Sequence, residues 1–293
     1  MKTIEFIKYS GAGNTFLIAE KKINLANEMI QKIVTRICDP VNGFSADGVL
    51  WLEKKDSEIV WYFYNSDGSS AEMCGNAARC AFLFSQQHFF NSPPELIKFK
   101  TLSGVVQGKA TTEGVSIEMT IAKKEKGFLF KEDFFAELSL VGFQDKDFFS
   151  QVIGKQVLSI DTGVPHLVIE VKDLNQYSAF KKSCEQIRKA KIFPRGTNVT
   201  LVQEKSVESL MAVSFERGVE DFTLACGTGA VAAGIYLAHK NKKSAIRVQM
   251  PGGQIVIKLD SKFERDNFSF QEDWQKPILV GDAIKIGRVI VDI

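Results

Sequence analysis

Two segments of the sequence repeat one pattern around a cysteine: FYNSDGSSAEMCGNAARCA and FERGVEDFTLACGTGAVAA. In each segment a phenylalanine, Phe63 or Phe215, lies 11 residues before the cysteine, Cys74 or Cys226. Glycine follows both cysteines, and alanines recur four and seven residues beyond them. The order is an apolar strand, a polar turn, Cys-Gly and a helix of small residues. We interpret the segments as copies of a duplicated half-domain, each placing one cysteine at a helix start.

Short strand patterns dominate the rest of the chain. They cover Thr3–Tyr9, Phe16–Glu20, Val49–Glu53, Ile59–Asn65, Ile97–Thr101, Val115–Ile121, Leu167–Val171, Val199–Gln203 and Ala212–Glu216. Ala26–Ile37 has amphipathic helical spacing, and Pro251-Gly252-Gly253 predicts a hairpin between two further strands. Residues 122–151 are rich in Lys and Phe without clear periodicity, and we expect the connection between the halves there. The predicted class is α/β, rich in strands.

Length and charge narrow the class of function. A chain of 293 residues exceeds the comfortable size of one core, which favours two domains. Its 37 basic and 35 acidic residues are intermixed, so no polybasic stripe points to nucleic acid or an anionic membrane. No apolar run approaches the roughly 18 residues of a membrane span, and the first residues resemble a strand more than a signal peptide. We expect a cytoplasmic protein with a small-molecule ligand.

The cysteines and histidines argue against a metal site or a disulfide framework. Five cysteines form an odd set without CxxC spacing, and we expect free thiols. Three histidines lie far apart in the sequence, which disfavours a histidine-rich metal site. These residues are Cys38, Cys74, Cys80, Cys184 and Cys226, and His88, His166 and His239.

A cysteine at a helix start is suited to acid/base chemistry. The unpaired N–H groups there carry partial positive charge, which lowers a thiol's pKa and attracts a carboxylate. Gly75 and Gly227 allow a ligand close to the backbone, while Asn76 and Thr228 add short polar side chains. An amino-acid carboxylate fits such a cradle. No Lys-Ser/Thr follows the second loop as in a P-loop, which disfavours a nucleotide site.

Inverting a stereocentre by proton transfer needs a base on one face and an acid on the other. Two thiols from matched half-domains, Cys74 and Cys226, can supply both without a cofactor. A lone cysteine before a helix is more often structural, and we interpret Cys38, Cys80 and Cys184 as core or surface thiols. Two cysteines in matched contexts favour catalysis.

Eight ordered motifs resemble the diaminopimelate epimerase family: KYSGAGNTF, GFSADG, FYNSDGSSAEMCGNAARC, TGVPH, FPRGTNV, SFERGV, LACGTGA and MPGG. The resemblance implies a homodimeric isomerase, independent of pyridoxal phosphate, interconverting L,L- and meso-diaminopimelate in lysine and peptidoglycan-precursor synthesis. It also implies two pseudo-symmetric domains, each a curved, mainly antiparallel sheet around a buried helix, with the active site in the cleft between them. We expect one half-domain at 1–121 plus 279–293, carrying Cys74, and the other at 122–278, carrying Cys226.

The resemblance implies a role for each matching residue. Cys74 and Cys226 are the expected acid/base pair, and His166 and Glu216 adjust the thiol pKa values. The expected substrate-binding residues are Asn14, Asn65, Gly75, Asn76, Asn198, Glu216, Arg217, Gly227 and Thr228. A guanidinium grips a carboxylate bidentately, and a carboxylate accepts from an ammonium, as Arg217 and Glu216 require.

Three positions depart from the family pattern. Gly48 stands where many members have Gln, Val164 where many have Asn, and Thr15 where Asp is usual. Gly48 and Val164 remove hydrogen-bonding groups near the expected site, which loosens substrate selection. We therefore expect diaminopimelate as the main substrate, with a shorter acidic amino acid such as glutamate also accepted.

Three other functions remain open from the sequence. Proline racemase and hydroxyproline epimerase share the twofold repeat, but they carry MCGH where this chain has MCGN. A binding protein that keeps the duplicated fold would be favoured by loss of one cysteine, and both are present. A dithiol redox protein would need the two sulfurs at disulfide distance.

Overall fold

The computed structural model describes residues 3–22, 26–92, 94–264 and 276–292. Its strands are β1 (Thr3–Gly11), β2 (Asn14–Glu20), β3 (Gly48–Lys55), β4 (Glu58–Asn65), β5 (Leu96–Thr101), β6 (Gly104–Thr111), β7 (Gly114–Glu118), β8 (Lys123–Phe130), β9 (Gln156–Asp161), β10 (Pro165–Glu170), β11 (Asn198–Ser206), β12 (Ser209–Glu216), β13 (Asp221–Thr223), β14 (Ala245–Met250), β15 (Gly253–Lys258), β16 (Ile278–Gly281) and β17 (Ile284–Asp292). Its α-helices are α1 (Asn27–Cys38), α2 (Gly75–His88), α3 (Lys131–Leu140), α4 (Lys146–Gln151), α5 (Lys181–Arg188) and α6 (Gly227–Asn241). Two 3₁₀ segments cover Leu174–Phe180 and Ser261–Glu264.

The chain forms two compact units. One consists of Met1–Met119 with Val280–Ile293, and the other of Thr120–Leu279. In the first unit, the strands lie in the order β17, β1, β2, β3, β4, β5, β6, β7. The β2–β3 and β4–β5 pairs are parallel, and the other pairs of this series are antiparallel.

The second unit repeats this pairing. Its strands lie in the order β8, β9, β10, β11, β12, β14, β15. The β10–β11 and β12–β14 pairs are parallel and the others antiparallel. Three hairpins joined by two parallel pairs therefore occur in both units, with α2 and α6 at the same place in the order. The prediction of two pseudo-symmetric, mainly antiparallel, strand-rich domains is confirmed.

Each unit surrounds one helix of small residues. Helix α2 contacts β1, β2 and β3 as well as β6 and β7, so the sheet curls around it. Helix α6 likewise contacts β9 to β12, β14 and β15. Ala77, Ala78 and Ala81 of α2 are fully buried, as are Ala230 and Ala232 of α6. Small apolar residues on several faces of a helix favour its burial, and the prediction of two buried helices is confirmed.

The outer face of each sheet has its own core. In the first unit, α1 packs Ile33, Val34 and Ile37 against apolar residues of β1 to β3, as its amphipathic pattern predicts. In the second, residues of β9 to β12 that point away from α6 cluster with Phe134 and Phe148 of α3 and α4. Because successive side chains of a strand point to opposite faces, the other face of β10, β11 and β12 is directed toward α6.

Residues 122–151 form regular elements. The connection between the halves was expected around this stretch; the structure has strand β8 followed by α3 and α4, all within the second unit, whose expected range began at residue 122. The first three residues of β8, Lys123–Glu125, are exposed, so its pattern is not that of a half-buried strand. In α3 the adjacent residues Phe134 and Phe135 are both buried, so the sequence lacks the regular helical spacing of apolar residues there.

The hairpin at Pro251-Gly252-Gly253 forms as predicted, with Met250 paired to Gly253. Within the described part of the chain, none of the helices has the length and apolarity that crossing a bilayer requires.

Candidate active-site residues

Cys74 lies directly before α2. Its backbone is extended, with φ −143° and ψ 125°, and its carbonyl accepts the first helical hydrogen bond from the N–H of Ala78 at 2.9 Å. The side chain is partly exposed. Gly75 and Asn76 form the first turn, where backbone N–H groups have no partner within the helix. The sequence prediction of a cysteine at a helix start therefore holds for the first unit.

The predicted asparagines of the first unit fall into two places. Asn76 is fully buried and donates from Nδ2 to Oδ1 of Asn14 at 2.8 Å. Asn14 is set there by the β1–β2 turn, in which Ala12 and Gly13 have φ of 53° and 90°, as a tight hairpin requires. Asn65 ends β4, is exposed, and donates to Oγ of Ser69 at 3.0 Å. Asn14 and Asn76 thus form a bonded pair, and Asn65 lies in a separate turn.

Arg79 is a charged residue of α2 that the sequence analysis did not single out. Its side chain is fully buried, and its Nε donates to the carbonyl of Asp282 at 3.0 Å. Burial is the largest influence on the pKa of Arg79 and lowers it. The sequence feature that could have predicted this buried charge is a single arginine within a run of small residues.

Cys226 occupies the matching place before α6. It is 5% exposed, and its Sγ accepts from the N–H of Gly229 at 3.3 Å and lies 3.4 Å from Oγ1 of Thr228. Burial raises the pKa of the Cys226 thiol well above its usual range, and the charge of Glu216 raises it further. Hydrogen bonds to Thr228, Gly229 and Ser214 lower it by less. The expected lowering by the helix start is therefore outweighed at Cys226, and this thiol is protonated near neutral pH.

His166 lies on β10, fully buried. Its Nδ1 is 2.9 Å from Oγ1 of Thr200, and its Nε2 is 2.9 Å from Oγ1 of Thr228 and 3.3 Å from Nδ2 of Asn198. Burial lowers the pKa of His166 to about 3, so the ring is neutral at pH 7. A neutral ring provides no charge, so the contacts of His166 with the Cys226 loop are hydrogen bonds.

Asn198, Glu216 and Arg217 lie next to this cluster. Asn198 begins β11 beside His166 and accepts, at Oδ1, the backbone N–H of Arg217 at 2.7 Å. Glu216 ends β12, bonds to Thr223, and lies in hydrogen-bond contact with Cys226; burial raises its pKa. The exposed guanidinium of Arg217 donates to the carbonyl of Arg195. The structure thus brings His166, Glu216 and Asn198 together around the Cys226 loop.

Because His166 is buried in its neutral form, we expect the folded protein to lose stability in acid. Its pKa is lowered from 6.5 to about 3 in the folded protein, so below pH 6.5 the unfolded chain binds the extra proton. We expect the free energy of unfolding to fall as pH drops toward 3, by up to about 1.4 kcal/mol per pH unit more than in His166→Gln. Urea unfolding at several pH values measures this. His88→Gln is the comparison: the pKa of His88 is also lowered by burial, but by less than that of His166, so its substitution should change the slope less. Equal slopes for the native protein and His166→Gln would contradict the prediction.

The other three cysteines are core residues. Cys38, Cys80 and Cys184 are buried, and all five cysteines are free. Burial raises the pKa of Cys38 and of Cys80 to about 12 and raises that of Cys184 still further. From the sequence these thiols were expected in the core or at the surface, and the structure places all three in the core. None of them begins a helix.

The three positions that depart from the family pattern have different surroundings. A Cβ at Gly48 would lie 2.7 Å from the carbonyl oxygen of Tyr64 and 2.8 Å from the Phe63 ring, so its space is already filled. Thr15 donates from its N–H to a carboxylate oxygen of Asp47 at 2.7 Å. Val164 lies one residue before β10, where its carbonyl accepts from Thr162. Of these three, only Val164 lies close in sequence to the cluster around Cys226.

Comparison with solved structures supports the fold. A phenazine biosynthesis protein of the PhzF family from Bacillus anthracis superposes with a TM-score of 0.73 over 100% of both chains, at 14% identity. A probable proline racemase from Agrobacterium radiobacter K84 gives 0.65 over 99% of this chain and 93% of that one, at 12% identity. Likeness at this identity concerns the fold alone.

Sequence comparison is more specific. The diaminopimelate epimerase of Aquifex aeolicus is 30% identical over 298 residues, covering 97% of this chain and 96% of its own. That of Helicobacter pylori is 36% identical over 268 residues, covering 88% and 91%. The family profile for diaminopimelate epimerase matches residues 6–125 and 158–272, the stretches that hold both cysteine loops. This chain belongs to the diaminopimelate epimerase family, whose members are isomerases that work without pyridoxal phosphate.

Proposed function

We propose that this protein interconverts L,L- and meso-diaminopimelate by proton transfer at Cα, with Cys74 and Cys226 as the acid/base pair and no cofactor. The observation that carries the proposal is the repeat: in both units a cysteine precedes a buried helix of small residues at the same place in the strand order. The family relationship supports the substrate.

The surroundings of Cys226 support a protonated thiol at rest, because burial and the charge of Glu216 keep the proton on its sulfur. The base of this proposal is Cys74, whose side chain is partly exposed directly before α2. In one direction of reaction, the Cys74 thiolate takes the Cα proton and the Cys226 thiol gives its proton to the opposite face of the carbon. The turnover leaves Cys74 protonated and Cys226 as thiolate, which is the starting state for the reverse direction.

The substrate's reacting end requires groups that stabilise negative charge as the Cα proton leaves. We assign this role to the N–H groups at Gly75, Asn76, Gly227 and Thr228, which lie in the first turns of α2 and α6. The other end of the substrate carries an ammonium, which needs hydrogen-bond acceptors, and a carboxylate, which a guanidinium can bind. We assign this end to Asn14, Asn65, Asn198, Glu216 and Arg217.

The test is Cα–H exchange in D₂O. Diaminopimelate, glutamate, lysine and proline are incubated separately with the protein, and loss of the Cα–H signal is followed by NMR. We expect exchange and interconversion of isomers with diaminopimelate, without added pyridoxal phosphate. The proposal fails if diaminopimelate neither exchanges nor changes configuration under conditions in which the protein is folded.

Arg217→Lys tests substrate binding. Lysine keeps the charge but loses the planar pair of donors that holds a carboxylate bidentately. We expect KM for diaminopimelate to rise about tenfold, the loss typical of one charge-assisted hydrogen bond, with a smaller change in kcat. Steady-state kinetics measure both. Arg247→Lys, at an exposed position of β14 in the same unit, is the matched control. A change in kcat alone would contradict the assignment.

We also propose that selection between acidic amino acids is relaxed, so that glutamate is turned over slowly. Val164 supports this, because valine removes an amide next to β10 that many family members have. Gly48 gives less support, because the Phe63 ring and the Tyr64 carbonyl fill the space of a longer side chain.

Restoring the amide by Val164→Asn makes a specific prediction. We expect the ratio of kcat/KM on diaminopimelate to that on glutamate to rise about tenfold, since a site with a polar partner rejects a substrate that cannot satisfy it. Val164→Leu, which adds bulk without an amide, is the control. An unchanged ratio in Val164→Asn would contradict relaxed selection at this position.

We propose a homodimer in the cytoplasm, on the family resemblance and on an ordinary charge balance of +2. Light scattering coupled to size-exclusion chromatography tests the assembly, with a mass twice the monomer's 32.6 kDa expected.

A further inference from the structure

Two buried hydroxyl groups connect His166 to Cys226. Thr200 Oγ1 lies 2.9 Å from Nδ1 of His166 and 3.0 Å from Oγ of Ser214. Ser214 Oγ and Cys226 Sγ both border the space beside Gly229, and the Ser214 hydroxyl lowers the pKa of the Cys226 thiol. Thr200 and Ser214 are both fully buried. They face each other directly across the β11–β12 pair, which fixes their spacing. We call Thr200 and Ser214 the hydroxyl chain.

The direction of these hydrogen bonds follows from Asn198. Its Oδ1 accepts the backbone N–H of Arg217, so its Nδ2 is the atom that faces Nε2 of His166 and donates to it. Nε2 of the neutral ring therefore carries the lone pair, and the ring proton is on Nδ1. Nδ1–H donates to Thr200, and the Thr200 hydroxyl is then free to donate to Ser214. This leaves the Ser214 hydroxyl proton to point toward the Cys226 sulfur, whose pKa the hydroxyl lowers.

The space in which the hydroxyl chain meets the sulfur exists because residue 229 is glycine. A Cβ there would lie 2.2 Å from Oγ of Ser214, 3.2 Å from Sγ of Cys226 and 3.2 Å from Cε1 of His166. No side chain could occupy that position without displacing Ser214. Three groups from β10, β12 and the start of α6 therefore converge on one glycine.

We propose that Thr200 and Ser214 are positioning residues that hold a hydrogen-bond donor at Cys226 and so stabilise its thiolate form. The inference rests on the proposed function, in which Cys226 alternates between thiol and thiolate. As a thiolate, the sulfur accepts from Ser214 Oγ–H and Gly229 N–H. As a thiol, its proton is accepted by the carboxylate of Glu216, whose pKa this hydrogen bond lowers. Both protonation states are thus hydrogen-bonded, and the hydroxyl chain serves the charged one.

The experiment measures thiol ionisation without substrate. The protein is treated with iodoacetamide across a range of pH, and alkylation of the Cys226 peptide is followed by mass spectrometry. The midpoint pH is compared, because it does not depend on how easily the reagent reaches the sulfur. We expect Ser214→Ala to raise the midpoint by about one pH unit, a tenfold lower thiolate fraction at a given pH. Thr200→Val should raise it by less, and Thr200→Ser should restore it.

One further variant tests the direction of the shift in midpoint pH, and another is the control. Glu216→Gln should lower the midpoint, because the Glu216 charge raises the pKa of Cys226. Ser183→Ala removes another buried hydroxyl of the second unit, one bonded to Asp145, and should leave the midpoint unchanged. In turnover, Ser214→Ala should shift the pH profile of kcat with KM for diaminopimelate unchanged.

Unchanged midpoints in both Ser214→Ala and Thr200→Val would overturn the inference, as would equal shifts in Thr200→Val and Thr200→Ser. These readouts do not require diaminopimelate. Failure of the substrate proposal would appear instead as absent turnover in the unmodified protein.

Discussion

Replacing either Cys74 or Cys226 with alanine is expected to abolish interconversion of diaminopimelate isomers, by at least about a thousandfold in kcat. Each thiol is the only proton donor or acceptor that the proposal assigns to its face of the substrate, and general acid–base catalysis by one group contributes about 10²–10⁴-fold. Because inversion needs both groups, the double variant should be no slower than either single one. The measurement is conversion of pure L,L-diaminopimelate followed by chiral chromatography.

The matched controls are the core cysteines of the same units. Cys38→Ala and Cys184→Ala remove the same sulfur from buried positions outside the helix starts. We expect both to lower the melting temperature while keeping kcat within about threefold of the unmodified protein, since a small core truncation costs stability and leaves the site's chemistry intact. Equal losses of activity at Cys184 and Cys226 would show that the effect is structural. Full activity in either catalytic variant would contradict the pair.

Much of this architecture is predictable from the sequence, since the duplicated segment sets the positions of both helices. The Phe63-to-Cys74 and Phe215-to-Cys226 spacing predicted a strand, a turn and a helix start, and the structure has each of them twice. Polar-apolar alternation was informative where one strand face is buried, as in β4 and β14. It was uninformative in β17, where Ile284–Ile290 are all exposed or half-exposed, apolar and charged residues alike.

The hydroxyl chain lay beyond sequence reasoning. Thr200 and Ser214 are ordinary strand residues in the sequence, and only the register that pairs them across β11 and β12 makes them neighbours. The same holds for the pKa of Cys226. A helix start predicts a lowered pKa, whereas the depth of burial and the approach of Glu216 are tertiary properties, and they dominate.

Gly229→Ala is expected to reduce kcat at least about tenfold and to destabilise the fold. Alanine is the better helix former by about 0.5–1 kcal/mol, so a glycine within α6 needs a reason. The reason is packing: the new Cβ would lie 2.2 Å from Ser214 Oγ. Crowding of this kind costs about 1–3 kcal/mol, which exceeds the helical gain. We expect the net free energy of unfolding to fall by about 1–2 kcal/mol, measured by urea denaturation.

Adding Ser214→Ala to Gly229→Ala separates the two effects. Removing the Ser214 hydroxyl relieves the clash, so stability should return toward that of the unmodified protein. Activity should stay low, because the donor to the Cys226 sulfur is gone. Gly287→Ala is the control, since a Cβ at Gly287 meets nothing within 4 Å and its effect on kcat should be small. If the double variant regains both stability and kcat, Gly229 serves only packing; if it regains stability alone, the glycine preserves the space that the catalytic hydrogen bond needs.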